Sequence, residues 1–135
     1  MLGASNDPAK WGQWISAGAL KGADRRDVWL VNRNGGEILG QQAFRSLAEL
    51  PGPPELVVIA VPVGAFEQGV DDALAAGARG IVAITAGLGE IDEGGKELER
   101  RVVEKVRSAG AVMLGPNCLG VYDAAASLDL GMNEF

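Results

Sequence analysis

The chemistry available to this chain sits in short loops of small residues, each following an apolar run. Gly115-Pro116-Asn117-Cys118-Leu119-Gly120 sets an amide side chain and the only cysteine directly after Ala111-Val112-Met113-Leu114. Thr85-Ala86-Gly87-Leu88-Gly89-Glu90 follows a second apolar stretch, and Gly3-Ala4-Ser5-Asn6-Asp7-Pro8 lies near the start. Parallel α/β sheets hold ligands at the carboxyl ends of their strands, and small residues let a ligand come close to the backbone. Three such loops on one edge point to a long, phosphate-bearing ligand.

The first loop lacks the dinucleotide fingerprint G-x-G-x-x-G; it runs from Gly3 through Lys10 to Gly12. Gly3 permits close approach, Ser5 and Asn6 offer short donors, and Lys10 adds a cation at a helix start, where N–H groups face outward. The same residues also suit a plain helix cap made by Ser5 or Asp7. Asn32-Arg33-Asn34-Gly35-Gly36 stands where an NAD-binding protein carries an acid for the ribose hydroxyls. Arg33 suits a phosphorylated ribose, as in NADP or coenzyme A, unless it is simply solvated. Val61-Pro62 ends another apolar run, either as a strand terminator or as a shelf for an adenine ring. Glu90 brings a carboxylate to the loop that starts at Thr85 or merely caps the next helix. Cys118 invites a reading as nucleophile, but the chain has no histidine to activate it, and a structural thiol is the plainer role. Asn117, with both a donor and an acceptor, is the better polar candidate.

The absence of histidine and the single cysteine exclude the usual zinc sites, a Ser-His-Asp triad, a Cys-His pair and a phosphohistidine within these residues. Neither a catalytic residue nor a metal site is expected. The 135 residues, 47% hydrophobic and 22% charged, suit one domain with a real core. A formal charge of −6 argues against a nucleic-acid surface, yet leaves room for one anion bound by local cations and backbone N–H groups. No apolar run reaches the roughly 20 residues of a membrane span, and nothing resembles a secretion signal. With one cysteine, a cytoplasmic location is expected.

Stretches 28–31, 56–61, 80–85 and 111–114 are continuous apolar runs, as in strands covered on both faces. Helical spacing appears between them. Trp11, Trp14, Ile15 and Gly18 share one face of a first helix ending near Gly22; Phe66, Val70, Ala73 and Leu74 mark a second closed by Gly77; Leu98, Val102, Val106 and Ala109 mark a third closed by Gly110. A shorter helix is expected over 41–47. The alternation predicts an α/β fold, a doubly wound parallel sheet of about five strands with helices on both faces. Only Met1 and Leu2 precede the first loop, so the first strand is expected to be very short or truncated. Residues 1–123 form the expected domain, and 124–135 an extension or linker toward another domain.

Taken in order, Gly3-Ala4-Ser5-Asn6-Asp7-Pro8 with Lys10 and Gly12, Val31-Asn32, Val61-Pro62, Ile84 to Glu90 with Gly94 and Gly95, and Gly115 to Gly120 resemble the CoA-binding domain of the ADP-forming (NDP-forming) acyl-CoA synthetases, relatives of the succinyl-CoA synthetase α subunit. The resemblance implies a Rossmann-like fold that binds coenzyme A. It places the first loop at the phosphates, Asn32 and Arg33 near the nucleotide, Val61 and Pro62 beside adenine, and Thr85, Gly87, Glu90, Asn117 and Cys118 toward the pantetheine and thiol. In that family the whole reaction converts acyl-CoA, ADP and phosphate to acid, ATP and CoA, with a phosphohistidine domain and an ATP-grasp domain as partners. Lacking histidine, this chain is expected to bind CoA or acyl-CoA without completing that chemistry alone. Two other readings remain: an NADP-dependent oxidoreductase domain, or a standalone CoA-binding regulatory module, with self-association favoured if a sheet edge is left open.

Overall fold

The computed structural model describes residues 1–85, 87–88 and 92–132. In chain order the elements are α1 (Trp11–Leu20), β1 (Glu37–Ile38), β2 (Gln41–Gln42), β3 (Leu56–Ile59), α2 (Val63–Ala75), β4 (Gly80–Ala83), α3 (Glu93–Ser108), β5 (Val112–Leu114), β6 (Gly120–Asp123) and β7 (Leu128–Gly131). They divide into two compact units, one of Met1–Leu50 with Leu119–Phe135 and one of Pro51–Cys118.

The second unit follows the sequence pattern closely. β3, β4 and β5 pair in parallel in that order, with Leu56 opposite Gly80 and Gly80 opposite Val112. Val57, Ile59, Ile81 and Ala83 are buried, as continuous apolar strands require. The crossover helices α2 and α3 contact each other and turn Phe66, Val70, Ala73, Val102 and Val106 inward. Asp92 caps α3 by accepting from the Gly95 N–H at 2.8 Å, while Glu93 in the first turn and Lys105 and Arg107 in the last complement its dipole. Gly77 (φ 94°) and Gly110 (φ 72°) end their helices in the left-handed region, as expected. Glu67 on α2 accepts a two-pronged bond from Arg101 (2.8 Å each) and another from Lys105 (2.9 Å), and Lys105 also reaches Asp71. The Arg101 bonds, then Lys105, hold the Glu67 carboxyl down at about 2.

The first unit is irregular. Leu2, Val31 and Phe44 pair in parallel at single residues rather than along strands. The run 28–31 therefore contributes one bridging residue, because Gly3 (φ 91°) turns the chain away immediately after Leu2 and the ladder cannot lengthen. Buried Ala4, Leu30, Ile38 and Ala43 form a small core beneath these segments. The helix expected over 41–47 does not form. Gln41–Gln42 pair antiparallel with β1, and the Phe44 backbone is taken by Leu30 O and the Asn32 N–H (2.9 Å each), leaving one 3₁₀ turn at Leu47–Glu49. Tertiary pairing thus overrides local propensity.

Two further expectations shift. On α1 the buried face is Gly12, Ile15, Ser16, Gly18 and Ala19, whereas Trp11 and Trp14 are 51% and 39% exposed. Residues 124–131, expected as a connection, complete a β6–β7 hairpin whose second strand packs on α1. Arg25 and Arg26 hold its turn by donating to the carbonyls of Ala125, Ala126 and Ser127. Lys21 pairs with Asp129 at 2.5 Å beside a concavity of about 560 Å³ lined also by Tyr122 and Leu128.

Candidate functional site

In the first unit the loop after Leu2 is fastened mainly through backbone. Gly3 and Ala4 both donate to Val31 O at 3.1 Å, and Ser5 Oγ accepts from the Asp7 N–H at 3.0 Å. Asp7 accepts from Ala9 N–H and lies 3.8 Å from Lys10 Nζ. Gly12 fits because a Cβ there would meet the Gly3 carbonyl, so only glycine lets α1 begin this close to the loop. Lys10 is the N-cap of α1, with no side-chain cap bond and no acidic residue in the first turn. The positive end of the helix thus carries no side-chain carboxylate of its own turn, an arrangement suited to an anion. Trp14 steadies the loop by donating from its indole to Pro8 O at 2.9 Å.

Two asparagines of the expected set are already engaged. Asn32 donates to Ala4 O and accepts from the Asn34 N–H, both at 2.8 Å, so it ties the first loop to the turn after Val31. Asn6 donates to Glu37 O at 2.8 Å and accepts from the Leu39 N–H at 2.9 Å. Arg33, next to Asn32, is exposed and has no hydrogen-bond or ion-pair partner among the described residues. It is a guanidinium available to an anion. Gly3, Ser5, Asn6, Lys10, Gly12 and Asn32 therefore belong to one connected cluster, with Arg33 at its border.

In the second unit the expected residues gather at the carboxyl ends of neighbouring parallel strands. Thr85 is 2% exposed, donates from Oγ1 to Val61 O at 3.1 Å, and its N–H reaches Pro116 O at 3.0 Å. One threonine thereby joins the ends of β3, β4 and β5. Pro62 caps α2 with its carbonyl accepting from Ala65 N–H at 2.9 Å. Gly115 (φ 117°) precedes a cis Pro116, and a Cβ at Gly115 would lie 2.5 Å from Ala83 O. That close approach brings Cys118 within reach of the same carbonyl, with Sγ 3.4 Å from Ala83 O. The thiol is partly buried, and Asn117 beside it is exposed. Gly87 adopts φ 93°. Glu90 lies outside the described residues.

Reading the sequence missed three contributors: the Gly3 carbonyl against Gly12, the Pro116 carbonyl as Thr85's partner, and the β1–β2 hairpin as Asn6's. Only the glycine spacing carried any signal of these, because the others are backbone atoms. Among the described residues no group of carboxylates, thiols or imidazoles is arranged to hold a metal ion, and no helix is long and apolar enough to cross a membrane.

Known proteins resemble this chain in sequence and fold. The chain is 37% identical over 129 residues to the acetate–CoA ligase [ADP-forming] II subunit alpha of Pyrococcus furiosus, covering 96% of this chain and 28% of that protein. The crystal structure of PH0766 from Pyrococcus horikoshii OT3 superposes with a TM-score of 0.91 at 34% identity, over 96% of this chain and 30% of that one. The dinucleotide forming acetyl-coenzyme A synthetase 1 of Ca. Korarchaeum cryptofilum, in complex with phosphate and ADP, gives a TM-score of 0.88 at 32% identity, over 96% and 28%. The chain thus spans less than a third of the length of these relatives. The fold is Rossmann-like α/β, and a family model described as "CoA binding domain" matches residues 1–124. With small-residue loops at parallel strand ends and a match over nearly its whole length, the chain belongs to the CoA binding domain family.

Proposed function

We propose that the chain binds coenzyme A or acyl-CoA as the CoA-binding part of an ADP-forming acyl-CoA synthetase. The observation that carries this reading is the pair of pre-formed loops: one at the uncapped start of α1, the other at the strand ends tied by Thr85. In it Gly3, Ser5, Lys10 and Gly12 form or shape the phosphate cradle, with Asn6 and Asn32 holding it. Arg33 pairs with the 3′-phosphate. Val61 and Pro62 border the adenine, and Thr85, Gly87, Glu90, Asn117 and Cys118 belong to the pantetheine and thiol end.

The chemistry these residues support is binding and orientation. Backbone N–H groups and Lys10 offset diphosphate charge, and a thiol-bearing arm is received at the Asn117-Cys118 loop. Turnover of acyl-CoA, ADP and phosphate to acid, ATP and CoA belongs to the whole synthetase, with a phosphohistidine and an ATP-grasp domain as partners. The proposed compartment is the cytoplasm, in line with a single unpaired thiol. Self-association through β5, where Val112 is 72% exposed, is part of the same proposal.

Titration calorimetry with CoA, 3′-dephospho-CoA and NADPH tests the reading. CoA should bind most tightly, and absence of heat with CoA at millimolar concentration would sink it. Arg33→Ala should narrow the gap between CoA and its dephospho form by about tenfold, the value of one charge-assisted contact of roughly 1.5 kcal/mol. An unchanged ratio removes Arg33 from that role.

A further inference from the structure

The hairpin of the first unit breaks a local rule. β1 and β2 are joined by the two residues Leu39 and Gly40, both with positive φ (48° and 79°). Two-residue turns of this type favour Asn, Asp or Gly at the first position, because a Cβ there crowds the following carbonyl. Leucine is out of place at Leu39 unless something holds it. Its side chain packs against the cluster of Ala4, Leu30, Ile38 and Ala43. Its N–H, which the two-residue turn leaves out of the ladder, donates to Asn6 Oδ1 at 2.9 Å. The same carboxamide donates to Glu37 O at 2.8 Å. Asn6 thus behaves like a peptide group of an adjoining strand, satisfying an N–H and a C=O two residues apart. Ala4, in the cluster that Leu39 covers, lies two residues before Asn6 in the loop.

We infer that the β1–β2 hairpin is a clamp that fixes the shape of loop 3–9, with Asn6 and Leu39 as positioning residues for the bound diphosphate rather than ligands of it. The inference rests on the CoA-binding reading but differs from it in what each residue does. Strain at Leu39 is tolerated because it places an N–H where Asn6 can use it and an apolar side chain over the core beneath the loop. An amide is required at position 6. Asn6→Asp keeps the shape but sets a carboxylate oxygen against Glu37 O where a donor stood.

The test uses Asn6→Asp and Leu39→Gly in the full chain, the second carrying no change of charge near the phosphates. Amide hydrogen exchange is followed in the ligand-free protein, and CoA affinity by calorimetry. Exchange of the loop 4–9 amides should quicken in both variants while that of β3, β4 and β5 stays unchanged. CoA should bind about threefold to tenfold more weakly in both, because Asn6→Asp loses the bond to Glu37 O and Leu39→Gly loses the apolar cover over Ala4 and its neighbours. Should Leu39→Gly loosen the hairpin itself, Leu39→Asn keeps the left-handed turn without the apolar cover and should still quicken loop exchange. Unchanged loop exchange in Asn6→Asp, or wild-type CoA affinity in Leu39→Gly, overturns the clamp. If the wild-type chain fails to bind CoA, the functional reading falls instead, and the exchange rates of the ligand-free variants still decide the clamp.

Discussion

The two units reach order by different routes. In the second, three parallel strands and two crossover helices bury continuous apolar runs, and backbone ladders supply the regularity. In the first, extended segments meet at single residues, and side-chain amides take over where ladders are missing: Asn6 to the hairpin, Asn32 to Ala4. A ladder of parallel strands distributes its stability over many bonds. A loop held by two asparagines and a close glycine concentrates it in a few atoms, so damage there should be felt locally.

The largest effect should come from Gly115→Ala. The added methyl meets Ala83 O at a position where φ is already 117°, and overpacking plus backbone strain should cost about 3 kcal/mol of global stability by urea unfolding. Gly12→Ala should cost less, about 2 kcal/mol, because its helical backbone adds no left-handed strain to the clash with Gly3 O. It should also weaken CoA binding by more than its stability loss implies. Equal costs, or a Gly12 variant with wild-type CoA affinity, would break the distinction between the units.

Thr85→Val sharpens it. Losing the Oγ1 bond to Val61 O inside a buried site should cost about 1–2 kcal/mol, while Thr85→Ser, which keeps the donor, should restore most of it. A Val variant as stable as wild type would mean that the backbone alone aligns the strand ends.

The smallest effect is pH-dependent and confined to the second unit. Arg101 and Lys105 hold the Glu67 carboxyl at about 2, below its ordinary 4.5, so the unfolded chain takes up this proton first. The contribution is therefore complete above about 4.5, declines as pH falls below it, and is gone once pH passes below about 2. Acid unfolding of Glu67→Gln should be less steep across that window. The same slope in both proteins would show that exposure and counterions screen the pair.

Legibility in the sequence follows the same division. Runs such as 56–61 and 80–85 announced the parallel strands, and Gly77 and Gly110 announced helix ends, since burial and positive φ leave marks in residue type. The hairpin over 37–42 left none, because Leu39 is a poor turn residue and its partner Asn6 is more than thirty positions away. Thr85 stood out in the sequence as a candidate loop residue but not as the tie between strand ends, since its partners are carbonyl oxygens that no residue type reveals. Trp11 and Trp14 misled by suggesting the buried face of α1, which instead consists mainly of small residues. Glycines at 12 and 18 explain why: a face meant for contact with backbone excludes bulk.

Those two glycines give α1 a mechanical character. Gly12 seats the helix start against Gly3 O, and Gly18 seats its later turn against the Asp129 carbonyl of β7. Lys21, one residue past the helix, pins it again to Asp129. Held at both ends, a helix of ten residues, about 15 Å long, cannot slide or roll without breaking contact at one of them. It works as a strut, spacing the β6–β7 hairpin from the loop that begins at Gly3.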